Sequence, residues 1–220
     1  MSRIDAIDTD HAERMDRMYR YQRHIYDLSR KYYLLGRDKA IADLHLAPGE
    51  TILEVGCGTG RNLLLAHKRY PQAALYGLDI SAQMLQSTRR NFASASAKPH
   101  LCVADATKFQ AQDFSTTGFD RILISYALSM IPGWTGAIDA SLAALSPGGS
   151  LHIVDFGQQE GLPAWFRTLL QNWLARFHVT PRADLEEVLR QKAAATGCDI
   201  TFERLYRGYA WHAVLRKPEG

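Results

Sequence analysis

Short apolar runs alternate along the chain with stretches whose apolar residues return every three or four positions. The runs are Thr51–Val55, Ala74–Leu78, His100–Ala104, Arg121–Ser125 and Ser150–Asp155. Apolar runs of this length between turn signals read as strands buried on both faces. Helical spacing starts near Arg61 and near Ser81, and fills Gly136 to Leu145 before the break at Pro147-Gly148-Gly149. Strands alternating with helices predict a parallel, doubly wound sheet with crossovers on both faces. Further on, Leu162 to Phe177 and Ala183 to Thr196 read as helices, and Gly197 ends the second. Ile200–Tyr206 and Tyr209–Leu215, parted by Arg207-Gly208, then read as a closing antiparallel hairpin. Upstream, Met15, Met18, Tyr19, Gln22, Ile25, Tyr26, Ser29, Tyr32 and Tyr33 form one stripe, which predicts a helix from Glu13 to about Leu44. Ala47-Pro48-Gly49-Glu50 is a turn.

A chain of 220 residues suits one domain. The reading divides it into a helical cap at 1–46, a core at 51–155, and further helices with the closing hairpin at 156–220. With 46% hydrophobic and 22% charged residues, the composition excludes a disordered or coiled-coil chain. The net charge of +3 does not require an acidic partner. No dense Lys/Arg patch suggests nucleic acid. Cys57, Cys102 and Cys198 stand far apart without metal-ligand spacing, so the expectation is a reducing compartment and no metal. Met1 to Asp10 lacks the apolar stretch of a secretory signal. The longest apolar run, Ile122 to Pro132, is shorter than the roughly 18–20 residues of a spanning helix. A cytoplasmic chain that does not cross a membrane is expected.

The chemistry concentrates at Leu53-Glu54-Val55-Gly56-Cys57-Gly58-Thr59-Gly60, directly after a strand and opening a helix. Glycines there permit a tight turn and close backbone approach, and the following helix offers free N–H groups. The dinucleotide pattern would need a third glycine at position 61, which is Arg61. The motif is instead G-x-G-x-G with an acid two residues upstream. Asp79, nineteen residues beyond Gly60, closes the second strand, where an acid can accept from two ribose hydroxyls. Asp105-Ala106 follows the third strand.

In these residues the chain resembles the class I S-adenosylmethionine-dependent methyltransferases. The resemblance implies a Rossmann-like, mostly parallel seven-stranded α/β sheet with a C-terminal antiparallel hairpin and N-terminal helices. It implies S-adenosylmethionine as cofactor, with Gly56, Gly58 and Gly60 around its methionine and ribose parts. Asp79 would hold the ribose and Asp105 the adenine. Glu54, Cys57, Ile80, Ala106 and Ser125 are grouped with the same site. Cys57 would face the cofactor through its backbone, without redox chemistry. Arg37 would meet the cofactor carboxylate or a carboxylate of the acceptor, or form a helix-terminal salt bridge.

Three further segments carry a narrower resemblance: Arg23 to Asp38, Ser125 to Trp134, and Val154 to Gly157 with Leu162–Phe166 and Trp173–Arg182. Together they look like the bacterial diacylglycerylhomoserine N-methyltransferases of betaine-lipid synthesis. That likeness implies a lipid amine as acceptor. An acceptor ammonium must shed a proton before it attacks, and the cation that accumulates suits aromatic rings. Tyr26 and Tyr126 are therefore candidates to line the amine pocket, and His178 or His24 to act as base. Core packing competes as a reading for each tyrosine.

The Leu162–Phe177 helix has a broad apolar stripe with Trp165 and Trp173. No acid occurs between Gly161 and Ala183, whereas Arg167, Arg176 and Arg182 do. Such a helix suits an anionic membrane surface, the inner face of the membrane included, or else packs as core. Arg14, Arg17, Arg20 and Arg23 form a second basic series. Other readings of the same core remain open: a soluble or quinone-type acceptor, aminocarboxypropyl transfer, or a non-enzymatic S-adenosylmethionine-binding regulator.

Overall fold

Five of the apolar runs become adjacent parallel strands because each needs apolar cover on both sides, which only a sheet between two helical layers supplies. The computed structural model describes residues 34–177 and 179–220. Its order is α1 (Arg37–Ala42), β1 (Thr51–Val55), α2 (Arg61–Arg69), β2 (Ala74–Asp79), α3 (Ala82–Asn91) and β3 (His100–Val103). A 3-10 turn at Ala111–Phe114 precedes β4 (Phe119–Ser125), α4 (Trp134–Ala143) and β5 (Leu145–Phe156). The chain closes with α5 (Ala164–Ala175), α6 (Leu185–Thr196), β6 (Asp199–Leu205) and β7 (Ala210–Arg216).

The sheet order is β3-β2-β1-β4-β5-β7-β6. Strands β1 to β5 pair in parallel, in registers such as Leu53 with Tyr76 and Leu53 with Ile122. Strand β7 runs antiparallel between β5 and β6, which leaves β6 at the edge. The expected class of fold is present. Successive residues of one strand serve opposite layers. Leu53, Ile122, Ile124, Leu151 and Ile153 pack with Ala137, Ile138 and Leu142 of α4 and with Leu185 and Leu189 of α6. Ile52, Leu123 and Val154 pack instead with Ile41, Leu63, Leu85, Leu170 and Leu174 from α1, α2, α3 and α5. Each such side chain, taken fully out of water, contributes about 1.5–3 kcal/mol.

Three expectations need correction. The helix expected to run to Leu44 is interrupted in its described part: Gly36 has φ 85°, a left-handed turn that no continuous helix contains, and α1 starts only after it. The rest of that helix, with Tyr26, His24 and the arginine series, lies outside the described residues. Strand β5 begins at Leu145, five residues before the expected Ser150. Pairing with β4 jumps from Phe119–Leu145 to Arg121–Ser150, so Pro147-Gly148-Gly149 is a bulge inside the strand and not a turn before it. The apolar stripe of α5 is also divided. Leu170 and Leu174 are buried, while Trp165 and Leu169 remain 71% and 62% exposed.

Candidate functional site

In an open parallel sheet a ligand crevice forms beyond the carboxyl ends of the strands, where the strand order reverses. Here the reversal falls between β1 and β4, both flanked in sequence by loops that line a cavity. That cavity has a volume of about 380 Å³. Glu54, Gly56, Cys57, Gly58, Asp79, Ile80, Asp105, Ala106, Ser125, Tyr126 and Arg37, all singled out above, line it together. Gly60 does not. It forms the N-terminal cap of α2 with φ 75°, and a Cβ there would stand 2.4 Å from Thr88 Cγ2. Its role is to let α3 close on the glycine loop, where Thr88 Oγ1 donates to the Gly58 carbonyl at 2.7 Å.

Asp79 organises the loop. One carboxylate oxygen accepts from the Gly58 N–H at 2.8 Å and the other from the Ser81 N–H at 2.9 Å. Ser81 in turn caps α3, accepting from the Met84 N–H. Asp105 is built the same way: Oδ1 accepts from the N–H and the hydroxyl of Thr107, both at 2.8 Å, and Lys108 lies 3.5 Å from Oδ2. Partial burial pushes its carboxyl up, but the Thr107 bonds and Lys108 outweigh that and hold it below the usual range.

Glu54 is 2% exposed. Oε1 accepts from Asn62 Nδ2 at 2.7 Å, while Oε2 has no hydrogen-bond partner among the described residues. Burial pushes its carboxyl up to about 8, against the opposing pull of Asn62 and Arg37. Arg37 is buried and its Nε donates to the Leu34 carbonyl at 3.1 Å. Arg61 Nη1 and Asn62 Oδ1 also lack hydrogen-bond partners among the described residues, and both residues line the cavity. Buried polar atoms in folded proteins are nearly always paired, so a cluster of unpaired ones in a cavity wall signals a ligand. The set offers one guanidinium donor and two acceptors. That complements an α-amino acid zwitterion, so the methionine end of S-adenosylmethionine fits.

Tyr126 has φ 54° and is buried, with its ring edge-to-face on Phe156 at 4.7 Å. Its hydroxyl donates to the Leu35 carbonyl, and burial pushes it well above the ordinary tyrosine range. Tyr126 thus lines the cavity while its ring packs on Phe156 and its hydroxyl is kept for the segment before α1. His178 lies outside the described residues. The Cys57 thiol is turned into the core against Gly77, and burial pushes it well up, which leaves no thiolate for redox chemistry. Asp155, at the end of the last expected parallel strand, is 2% exposed and accepts from the N–H groups of Phe156 and Ser129. It caps the loop after β4, and burial raises it to about 6.

The sequence reading missed Leu34, Thr59, Arg61, Asn62, Met84, Met130, Ile131 and Pro132 as lining residues. Asn62 was findable: it sits in the first turn after the glycine loop, where a polar side chain can reach back to Glu54. Leu34, Met130, Ile131 and Pro132 fall within the segments of the narrower resemblance without being picked out one by one, and Met84 gave no signal. Among the described residues no cluster of His, Cys, Asp or Glu could hold a metal ion. No helix among them is long and apolar enough to cross a membrane.

Residues 52–149 match the family model described as a methyltransferase domain. The chain is 26% identical over 166 residues to a 2-phytyl-1,4-naphtoquinone methyltransferase of Trichormus variabilis, covering 73% of this chain and 71% of that one. It is 28% identical over 135 residues to the ubiquinone/menaquinone biosynthesis C-methyltransferase UbiE of Desulfotalea psychrophila, covering 59% and 53%. The chain thus spans about half the length of that second relative. In three dimensions it is similar to the plantazolicin methyltransferase BpumL bound to a triazolic analog and S-adenosylhomocysteine. That match has TM-score 0.70 and 16% identity, and covers 90% of this chain and 91% of that one. Residues 52–149 thus carry a methyltransferase domain, and the findings support an S-adenosylmethionine-dependent methyltransferase with S-adenosylmethionine as its cofactor.

Proposed function

We propose that the protein transfers methyl groups from S-adenosylmethionine to the amine of a lipid headgroup, with diacylglycerylhomoserine as acceptor, while seated on the membrane surface. The observation that carries this reading is the exposure of Trp165 and Leu169 on α5, a helix without acids that bears Arg167 and the exposed Arg176. Buried and exposed apolar residues on one short helix serve two neighbours at once: the protein core and an apolar phase outside it. The narrower resemblance over residues 23–38, 125–134, 154–157, 162–166 and 173–182 supplies the amine and the diacylglyceryl part.

In this mechanism Asp79 holds the ribose and Asp105 the adenine. Arg61 takes the cofactor carboxylate, and Glu54 with Asn62 the α-ammonium. S-adenosylmethionine, when bound, supplies an already activated methyl, so the chain contributes mainly orientation and the exclusion of water. Tyr126 contributes its ring to the wall on the acceptor side, where a methylated ammonium gains from an aromatic face. Its hydroxyl is committed to Leu35 and takes no proton in this reading. Proton removal falls to water, or to His178 or His24, and Tyr26 is the further ring that the sequence suggests for the acceptor pocket.

A quinone-type acceptor is the second reading. It is favoured by the two quinone methyltransferases reported above, and it would use the same exposed α5 for a prenyl lipid. Purified protein with labelled S-adenosylmethionine separates the two on vesicles carrying either diacylglycerylhomoserine or demethylated quinone. Label in mono-, di- and trimethylated headgroup is expected. Label only in the quinone would replace the first reading with the second.

A further inference from the structure

The loop after β4, Tyr126 to Pro132, forms the cavity wall on the flank of β1 away from β2 and β3. The glycine loop continues β1 itself and Asp79 and Asp105 stand on the other flank, after β2 and β3, which leaves the loop after β4 as the wall assigned here to the acceptor. Within the loop, Met130 and Ile131 make short turns back to the Ala127 carbonyl. Its anchors come from elsewhere in the chain. Asp155 accepts from the Ser129 N–H at 3.1 Å. The Thr180 N–H donates to the Ser129 carbonyl at 3.0 Å. Arg182 supplies two more bonds: Nε donates to the Leu128 carbonyl at 3.0 Å and Nη2 to the Ile131 carbonyl at 3.1 Å. The same guanidinium lies 5.8 Å from the ring centre of Trp134, at the start of α4. One planar fork therefore spans the loop between residues 128 and 131 and stacks near the helix that follows it.

We propose that Arg182 is a positioning residue for the acceptor half of the site: it holds the loop at 126–132 in the shape that presents Tyr126, Ala127, Met130 and Ile131 to the acceptor. Lysine is the poorer replacement, because its compact ammonium lacks the planar fork whose Nε and Nη2 meet the two carbonyls together. Arg182 touches no reacting atom in this assignment and acts through the loop alone. The acceptor kinetics rest on the lipid-amine reading above, but the mechanical claim does not.

The test combines hydrogen exchange with kinetics on Arg182→Ala and Arg182→Lys, with thermal melting to confirm that each variant is folded. In Arg182→Ala, amide exchange across residues 128–132 is expected to accelerate about tenfold, since two charge-assisted bonds are lost. KM for diacylglycerylhomoserine in vesicles should rise about tenfold, while kcat and the Kd for S-adenosylhomocysteine stay within about threefold. Arg182→Lys should lie between, and added guanidinium should restore part of the KM in Arg182→Ala. Unchanged exchange across the loop would overturn the proposal, as would equal weakening of acceptor and S-adenosylhomocysteine. If the wild-type protein methylates neither lipid, the acceptor reading fails by itself, and the exchange result still decides the role of Arg182.

Discussion

A single carboxylate shows how burial and function meet at the scale of one residue. Glu54 has one oxygen bonded to Asn62 and the other unpaired in a cavity wall, and its carboxyl is raised to about 8. The folded, cofactor-free protein holds this proton more tightly than the unfolded chain does. Raising the pH from the ordinary carboxylate range through about 8 therefore lowers its stability. A cationic ligand reverses the balance by favouring the charged carboxylate. S-adenosylmethionine affinity, measured by calorimetry from pH 6.5 to 8.5, should rise with pH in the wild-type protein and stay nearly flat in Glu54→Gln. A slope that survives the substitution would assign it to another group. At Asp79 the expected effect is larger in one respect. Its two oxygens serve two backbone donors, so Asp79→Asn sets an NH2 group against either Gly58 or Ser81. Melting should show a loss of about 1–3 kcal/mol, with weaker S-adenosylhomocysteine binding besides.

At the scale of elements, the strands were legible because each is a short apolar run between turn residues, and a strand buried on both faces leaves that mark wherever it lies. The glycine loop was legible from glycine spacing alone. What escaped is what depends on neighbours. The bulge of β5 starts from Leu145, whose pairing with Phe119 precedes the Pro-Gly-Gly segment that looks like a strand boundary in isolation. Gly36 ends the expected N-terminal helix because its left-handed backbone is set by packing: a Cβ there would meet Leu205 at 2.9 Å and Val154 at 3.4 Å. Gly60 likewise looked like a cofactor contact, since the motif does not show that α3 lies against it. Gly60→Ala should therefore fail through the α2–α3 contact. The clash with Thr88 and the strain at φ 75° together should cost about 2–4 kcal/mol, and S-adenosylhomocysteine should recover only part of the melting temperature. A Gly60→Ala,Thr88→Ser double variant, which removes the methyl in the way, should regain some of the loss. No gain in the double variant would mean that backbone strain dominates.

For the whole molecule the deciding question is whether a chain with a net charge of +3 and no spanning helix among its described residues meets a bilayer at all. The apolar stripe of α5 was visible in sequence, but its division was not, because helical spacing cannot tell which apolar residues the sheet will cover. The structure gives Leu170 and Leu174 to the core and leaves Trp165 and Leu169 outside. That division makes the proposed membrane attachment testable apart from folding. Trp165→Glu with Leu169→Glu removes apolar area that the fold does not bury, so the melting temperature should stay within about 2 °C of wild type. Vesicle flotation should weaken by roughly a hundredfold, the equivalent of losing two inserted side chains. Raising the salt from 50 to 300 mM in the wild-type protein should release only the fraction that depends on Arg167 and Arg176, since a Debye length near 10 Å at about 0.1 M screens charge and leaves apolar insertion intact. If the double variant floats as well as wild type, α5 is not the contact. If it neither floats nor loses activity on lipid vesicles, the acceptor reaches the site from solution, and a soluble substrate becomes the better reading.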